Sequence, residues 1–244
     1  MTSAATLVAA TAANISGWHD ANLRSLGHTT EWTDGAWLTP DAVPSIFFSA
    51  IATRPGASGA HIAGRLRQVG WVSAYDPWSD TGLDELGFQF EGDHAWMVRQ
   101  PGPLASPAVG PPPGLIVEPV RDAGELSDFE AAAAVGFGSL VPAPFTWHGP
   151  PLLDDARMHL WRGRIDGHTV AVSMGFVEAG VVGVYGVATH PEWRRQGIGT
   201  VMTCRALLAD PSLPAVLQPS AMAEPLYASL GFRRFATFRS WSRP

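Results

Sequence analysis

A stretch of alternating apolar and polar residues runs from position 158 to 191 and is compatible with few structures. Alternation with a period of two places successive side chains on opposite faces of a β-strand. The pairs Asp166-Gly167 and Ala179-Gly180 interrupt the alternation, and both are typical of tight turns. The stretch therefore predicts three antiparallel strands that follow one another in a meander.

Shorter patterns on both sides complete a domain. Before the meander, residues 114–120 favour a strand and residues 123–137 favour a helix. After it, residues 200–209 predict a helix whose apolar side carries Val201, Cys204 and Leu208. The elements predicted to follow are a short strand at 215–220, a helix at 223–231 and a final strand at 235–241. Together these elements predict an α/β domain with a mixed sheet flanked by helices.

The chain divides at a segment rich in proline and glycine. Residues 100–114 carry no charge and can neither continue a helix nor donate regularly to a central strand, so they predict a linker. We therefore expect an N-terminal α/β domain over residues 1–99 and a second domain over residues 115–244. The triplet Leu-Gly-Phe occurs at 86–88 and again at 230–232, each time after a short helical pattern and before a strand. Two interpretations stay open: two similar domains in tandem, or a first domain unrelated to the second.

Composition excludes several classes of protein. The chain has 244 residues, is 46% apolar and carries a formal net charge of -6, so it shows no basic footprint for nucleic acid or anionic membranes. All sixteen basic residues are arginine. The lack of lysine excludes a Walker-type phosphate loop and a pyridoxal enzyme, because both need a lysine side chain.

The sequence also bears on compartment and metal binding. No apolar run reaches the about 18 residues of a membrane span, and the first basic residue is Arg24, so the N-terminal segment reads as a helix rather than a secretory signal. The single cysteine, Cys204, has no partner for an internal disulfide and is expected to be a small buried apolar residue. We expect a cytoplasmic protein without a metal site, since no ligand spacing suggests one.

A glycine-rich turn follows the meander. The sequence HPEWRRQGIGTVM, residues 190–202, connects a predicted strand to a predicted helix through Gly197 and Gly199. The first amides of a helix lack intrahelical acceptors, and the helix dipole favours an anion there. Glycine lets phosphate oxygens approach the main chain closely. The turn therefore predicts a phosphate or pyrophosphate site, with a plain turn before a helix as the alternative. A dinucleotide fingerprint is excluded, because position 202 is Met202 and no acidic residue follows at the required distance.

Two motifs in this part of the chain resemble the GNAT superfamily of acetyl-CoA-dependent N-acyltransferases. The motif Arg/Gln-x-x-Gly-x-Gly/Ala is met by Arg194, Gly197 and Gly199. The second motif, A-x-x-L-Y-x-x-L-G-F, is met by Ala223, Leu226, Tyr227, Leu230, Gly231 and Phe232. The resemblance covers residues 115–244 and implies a GNAT-like, mostly antiparallel sheet flanked by helices. Residues 1–99 have no such glycine turn and carry Leu83 where the repeated triplet would place a tyrosine, so a sister domain there would be degenerate.

The resemblance implies where acetyl-CoA, as co-substrate, would bind. Main-chain amides of the turn would hold the CoA pyrophosphate, and the strand before it would pair with the pantetheine arm. The cofactor-binding residues implied in this way are Val187, Ala188, Thr189, Arg194, Arg195, Gln196, Gly197, Ile198, Gly199 and Thr200. Ser220 stands where many relatives carry an asparagine that touches pantetheine, and a serine would make part of that contact.

The resemblance also implies catalytic roles. Tyr227 would protonate the leaving CoA thiolate as a general acid, and a packed tyrosine with no catalytic role is the alternative. The general base stays open among four residues and a water chain. The four residues are His148, Glu178, His190 and Glu224.

The acceptor segment, residues 137–151, is rich in proline and aromatic residues. In the family this region after the first helix contributes to the acceptor site, and here Phe145 and Trp147 would line a pocket or pack over the sheet edge. We therefore expect acetyl transfer from acetyl-CoA to an amine of a small molecule or peptide by direct attack in a ternary complex. A CoA-binding regulatory module without turnover is the alternative. The acceptor, the acyl length and the oligomeric state stay open.

Overall fold

The computed structural model describes residues 3–67, 69–104 and 110–244. The chain divides into two compact units, one formed by Met1–Trp96 with Arg234–Pro244 and the other by Met97–Arg233. Residues 105–109 of the predicted linker lie outside the described residues, so the linker stays a prediction. The C-terminal residues belong to the first unit and not to the domain predicted over 115–244, because the last strand pairs with a strand of the first unit.

The helices are α1 (Ala4–Ser25), α2 (Gly59–Arg65), α3 (Ala123–Phe137), α4 (Ile198–Leu207) and α5 (Glu224–Ser229). The strands are β1 (Glu31–Trp32), β2 (Ala36–Leu38), β3 (Ala50–Ala52), β4 (Val72–Asp76), β5 (Gln89–Arg99), β6 (Ile116–Pro119), β7 (Met158–Ile165), β8 (His168–Glu178), β9 (Val181–Thr189), β10 (Ala215–Leu217) and β11 (Arg233–Arg243).

The first unit is an α/β domain, as the sequence predicted. Its strands follow the order β1-β2-β3-β4-β11-β5, with β3 and β4 parallel and β11 antiparallel to β4. The N-terminal segment forms α1, capped by Ser3, whose hydroxyl accepts from the Thr6 N–H at 3.1 Å. A core of apolar side chains, among them Leu38, Ile62 and Val72, holds the unit together.

The second unit is a mixed sheet with helices packed against it. Its strands follow the order β5-β10-β9-β8-β7-β6, in which β10 and β9 are parallel and the pairs among β6, β7, β8 and β9 are antiparallel. The predicted meander is confirmed as β7, β8 and β9, with turns at Asp166-Gly167 and Ala179-Gly180. The predicted helix before the meander is confirmed as α3, and both α3 and α4 pack on β8 and β9.

The predicted apolar side of α4 is wrong. The helix buries Ile198, Met202, Thr203, Ala206 and Leu207, whereas Val201 and Cys204 are half-buried and Leu208 is 45% exposed. The sheet covers a different row of side chains from the one that apolar spacing selected, and α4 begins at Ile198, two residues before the predicted start. Burial raises the pKa of the Cys204 thiol, which packs beside the apolar cluster that contains Leu207.

Within the described ranges, no helix has both the length and the apolar composition needed to cross a bilayer.

Candidate functional site

Strand β9 carries a β-bulge close to its C-terminal end. Val172 of β8 pairs with Ala188, and Met174 pairs with Tyr185, so residues 186 and 187 lie opposite the single residue 173. A bulge bends its strand and turns the main chain out of regular pairing. Gly186 lies in the bulge with φ +58°, and a Cβ there would come within 2.5 Å of the Met174 Cε atom. Glycine at position 186 thus allows the positive φ that this bulge contains.

Strand β10 accompanies β9 for only part of its length. Their last parallel pair joins Val216 to Gly183, and β10 ends at Leu217. From residue 184 to 189, β9 has no second partner strand in the described part of the chain. Apart from the Thr189 carbonyl, which accepts from Arg194 Nε, this side of the strand can pair with an extended ligand, which can bind as an added strand does. The three residues assigned to the pantetheine arm lie in this open strip: Val187, Ala188 and Thr189.

The connection from β9 to α4 presents free amides. It contains a short 3-10 turn at Pro191–Trp193, then Arg195 with φ +60°, then Gly197 with φ +78° as the N-cap of α4. Six consecutive N–H groups find no protein acceptor among the described residues. They belong to Arg195, Gln196, Gly197, Ile198, Gly199 and Thr200. Unpaired amides at a helix N-terminus form a binding site for an anion.

The Arg194 side chain is engaged with main-chain carbonyls. Its Nε donates to the Thr189 oxygen at 3.2 Å, and its terminal nitrogen donates to the Gly136 oxygen at 2.7 Å. Gly136 lies close to β9, because a Cβ there would come within 2.8 Å of the Ala188 Cβ. The guanidinium thus joins the end of α3 to the end of β9. Its assignment to the cofactor stays a prediction, and these contacts give it a positioning role.

Three elements converge where α4 begins. A Cβ on Gly199 would come within 3.3 Å of the Leu226 Cδ1 in α5 and 3.8 Å of the Thr189 Oγ1 at the end of β9. Tyr227 of α5 belongs to an apolar cluster against which Val187 packs. The structure therefore brings together the glycine turn, the open strip of β9 and the tyrosine of the second motif.

Tyr227 is a buried, protonated phenol. Its side chain is 7% exposed, and burial raises its pKa to about 12. The ring packs edge-on against Phe232, with centroids 5.9 Å apart. Within the described part of the chain, no hydrogen bond of the Tyr227 hydroxyl contributes to this shift in pKa. At neutral pH this group can donate a proton and cannot serve as a base.

Ser220 lies in the turn before helix α5, and its hydroxyl is engaged in that turn. Its side chain accepts from the Ala223 N–H at 3.3 Å, and its carbonyl accepts from Ala223 and Glu224. The residue is exposed. Its contact with pantetheine stays a prediction.

The structure distributes the candidate bases over different places. Glu178 forms an ion pair with Arg157, and burial lowers the pKa of His148 to about 3, so that imidazole is neutral. Glu224 lies in the first turn of α5. His190 follows directly after β9, and its side chain is 31% exposed. The identity of the base stays open.

A cavity of about 580 Å³ lies between α3, the β7–β8 turn and the start of the connection to α4. Its wall includes the carboxyl groups of Asp128, Asp166 and Glu192 and the imidazoles of His168 and His190. It contains none of the residues assigned to the cofactor. It is therefore a neighbouring pocket of the second unit and not the open strip itself.

Glu130 is a functional candidate that the sequence did not reveal. It is 1% exposed in α3, and its carboxylate accepts from the N–H groups of Phe145, Trp147 and His148 at 2.5, 2.7 and 2.7 Å. The only available signal was a single charged residue inside the apolar run FEAAAAVGF. This side chain fastens the acceptor segment to α3.

Among the residues that the structure describes, no group of three or more His, Cys, Asp or Glu side chains is arranged to hold a metal ion.

Comparison with known families gives the region a name. Residues 156–234 match the model of the acetyltransferase (GNAT) domain. The resemblance of this segment to GNAT domains, drawn from the two motifs, is thereby confirmed, and it supports an acyltransferase role at the level of the family. A search of curated proteins finds no match.

Solved structures share the fold over most of the chain. A GCN5-related N-acetyltransferase from Kribbella flavida has a TM-score of 0.64 at 24% identity, covering 94% of this chain and 95% of its own. A GNAT-family protein from Novosphingobium aromaticivorans has a TM-score of 0.58 at 21% identity, covering 96% and 97%. A tandem GNAT protein from the clavulanic acid biosynthesis pathway has a TM-score of 0.51 at 14% identity, covering 86% and 78%. At these identities the likeness concerns the fold, and the first unit as a degenerate sister domain stays a prediction.

Proposed function

We propose that this protein transfers an acetyl group from acetyl-CoA to an amine of a small molecule or peptide, within a ternary complex. The observation that carries the proposal is the row of free amides between Arg195 and Thr200, next to the open strip of a bulged strand. A pyrophosphate fits the amides, and an extended amide-containing arm fits the strip.

The cofactor would lie along these two features. Amides at Gly197, Ile198 and Gly199 would donate to the pyrophosphate oxygens at the positive end of α4. The pantetheine arm would follow β9 past Ala188 and Val187, which brings its thioester toward Tyr227. A main-chain N–H of the strip would donate to the thioester oxygen, where negative charge grows during the reaction.

The chemistry needs one attack and one proton transfer. The amine nitrogen attacks the thioester carbon, and the carbon–sulfur bond breaks as the tetrahedral intermediate collapses. The CoA thiolate then takes the proton of the Tyr227 hydroxyl, which solvent restores. The phenol is protonated at neutral pH, so its proton is available to the thiolate. The proton lost by the amine passes to a base or to water. No covalent acyl-enzyme is required, and the raised pKa of the Cys204 thiol argues against one.

A kinetic assay with Tyr227→Phe tests this assignment. Purified protein, acetyl-CoA and a panel of amines are mixed, and released thiol is followed with a colour reagent. We expect kcat to fall by about a hundredfold or more, because general acids contribute on this scale, while CoA affinity stays unchanged. Among the described residues no hydrogen bond of the hydroxyl contributes to its pKa, so we expect its removal to leave the fold intact. An unchanged kcat would exclude Tyr227 as the acid.

A regulatory CoA-binding module is the second candidate. The observation that favours it is that Glu178 and His148, two of the four candidate bases, are engaged in the fold. CoA binding measured by calorimetry, without thiol release over the whole amine panel, would support this module over the enzyme.

A further inference from the structure

One buried carboxylate holds four consecutive residues of the acceptor segment. Glu130 Oε2 accepts from the Phe145 N–H, and its Oε1 accepts from the N–H groups of Trp147 and His148. The Thr146 N–H also stabilises the charged form of this side chain. No guanidinium is paired with this carboxylate among the described residues, so main-chain amides supply its compensation.

The arrangement imposes a particular shape on the segment. Phe145 has φ +63°, a left-handed conformation that side-chain-bearing residues seldom adopt. Such a conformation persists where surrounding contacts determine it, and here the bond from its N–H to Glu130 is one of those contacts. Burial raises the pKa of Glu130, and the amide donors oppose that effect by stabilising the anion.

The start of the acceptor segment lies beside the open strip of β9. A Cβ on Gly136 would come within 3.2 Å of the Thr189 nitrogen, and the segment begins one residue later. Its first part exposes apolar side chains, since Leu140 is 93% exposed and Val141 is 55% exposed. The segment thus starts at the proposed path of the acyl arm, and its residues 145–148 are held by Glu130, which lies seven residues before its start in the same helix.

We infer that Glu130 is a positioning residue for the acceptor amine: it holds residues 145–148 in the shape that forms one side of the acceptor site. This inference rests on the proposed function. It assigns Glu130 to the binding of the amine and not to the binding of CoA or to proton transfer. The acceptor is thereby expected to contact the aromatic part of the segment, where Phe145 and Trp147 stand on the fastened main chain.

Glu130→Gln and Glu130→Asp test the inference. The carboxamide introduced by Glu130→Gln would keep one accepting oxygen but would turn an NH₂ group toward main-chain donors, and aspartate would keep the charge while falling one methylene short. For both variants we expect KM for the amine to rise about tenfold or more, with kcat and the Kd of CoA within about twofold of wild type. Hydrogen exchange at the amides of 145–148 should accelerate by about tenfold or more, with exchange in β8 unchanged.

The matched control is Asp128→Asn, which removes a carboxylate from an exposed position of the same helix and should leave amine KM and exchange at 145–148 unchanged. Rescue of amine KM by Glu130→Asp would overturn the inference, because charge alone would then suffice. A fall in kcat without a change in amine KM would also overturn it.

If wild-type protein binds CoA but acetylates no amine, the proposed function fails. The positioning of an amine then fails with it, but exchange still tests the structural part of the inference: unchanged exchange at 145–148 in Glu130→Gln would overturn the holding of the segment by Glu130, and faster exchange with CoA affinity retained would support that holding alone.

Discussion

At the scale of single residues, Gly197 has a left-handed backbone conformation and lies at the proposed site of the pyrophosphate. Its φ of +78° lets the chain enter α4 directly, and its N–H is one of the free amides. For a residue with a side chain, this conformation is less favourable by about 1–2 kcal/mol. A bulky side chain would in addition fill the space that phosphate oxygens need.

We expect Gly197→Trp to lose CoA affinity by about a hundredfold or more, measured by calorimetry, while the protein stays folded by circular dichroism. Gly180→Ala is the matched control, because Gly180 has φ +75° in the β8–β9 turn, where a Cβ would meet nothing within 4 Å. It should share the backbone cost of about 1 kcal/mol and leave CoA affinity unchanged. Unchanged affinity in Gly197→Trp would count against the placement of the cofactor.

Arg194 and Glu130 show how much of a site depends on partners distant in sequence. Arg194 was assigned by motif to the cofactor, yet its guanidinium donates to the carbonyls of Thr189 and Gly136. Glu130 accepts amides 15 to 18 positions along the chain. No local pattern indicates either set of contacts.

At the scale of elements, glycines set how closely the helices approach the meander. A Cβ on Gly175 of β8 would come within 2.4 Å of the Ala206 oxygen in α4. A Cβ on Gly136 of α3 would meet β9 at 2.8 Å. These approaches fix α4 and α3 against the strands, and α4 in turn places the free amides at the end of β9.

We therefore expect Gly175→Ala to lower the free energy of unfolding by about 2–3 kcal/mol, because a backbone carbonyl cannot rotate away as a side chain can. Urea denaturation measures this loss. Gly64→Ala in α2 is the control, since a Cβ there meets nothing within 4 Å and alanine favours a helix. A loss below about 0.5 kcal/mol in Gly175→Ala would show that α4 can shift without cost.

At the scale of the whole molecule, each unit buries a neutral histidine. Burial lowers the pKa of His19 in the first unit from its ordinary 6.5 to about 4, and that of His148 in the second unit to about 3. His19 donates from Nδ1 to the Ile15 oxygen at 2.8 Å and is ringed by aromatic side chains. Both units therefore disfavour the charged imidazole.

The consequence is a loss of stability in mild acid. Above pH 6.5 the His19 imidazole is neutral in both the folded and the unfolded chain. Below pH 6.5 the unfolded chain binds a proton at this imidazole, whereas the folded chain binds it only near pH 4. The free energy of unfolding is therefore at its full value above pH 6.5 and decreases as the pH is lowered, by up to roughly 3 kcal/mol for His19. Urea midpoints at pH 7 and 4.5 measure this fall. His19→Phe should reduce the pH dependence of the urea midpoint, and His61→Gln, at an exposed position, should not. The same change in midpoint between pH 7 and 4.5 in wild type and in both variants would contradict this role of His19.

The sequence by itself determined the elements whose signals are local. Alternation with period two predicted β7, β8 and β9, and apolar spacing predicted α3. The glycine turn after β9 and the Tyr227 motif were likewise visible, because backbone conformation and helix ends depend on neighbouring residues. These signals were sufficient for the α/β fold and for the GNAT resemblance.

The tertiary structure alone decided how these elements meet. The bulge opposite residue 173, the early end of β10 and the grouping of β11 with the first unit all depend on strand pairing across long stretches of chain. The buried side of α4 was mispredicted because the sheet, and not the helix's own period, selected the row of side chains that it covers. Local patterns specify which faces are apolar, whereas only packing specifies which partner each face finds.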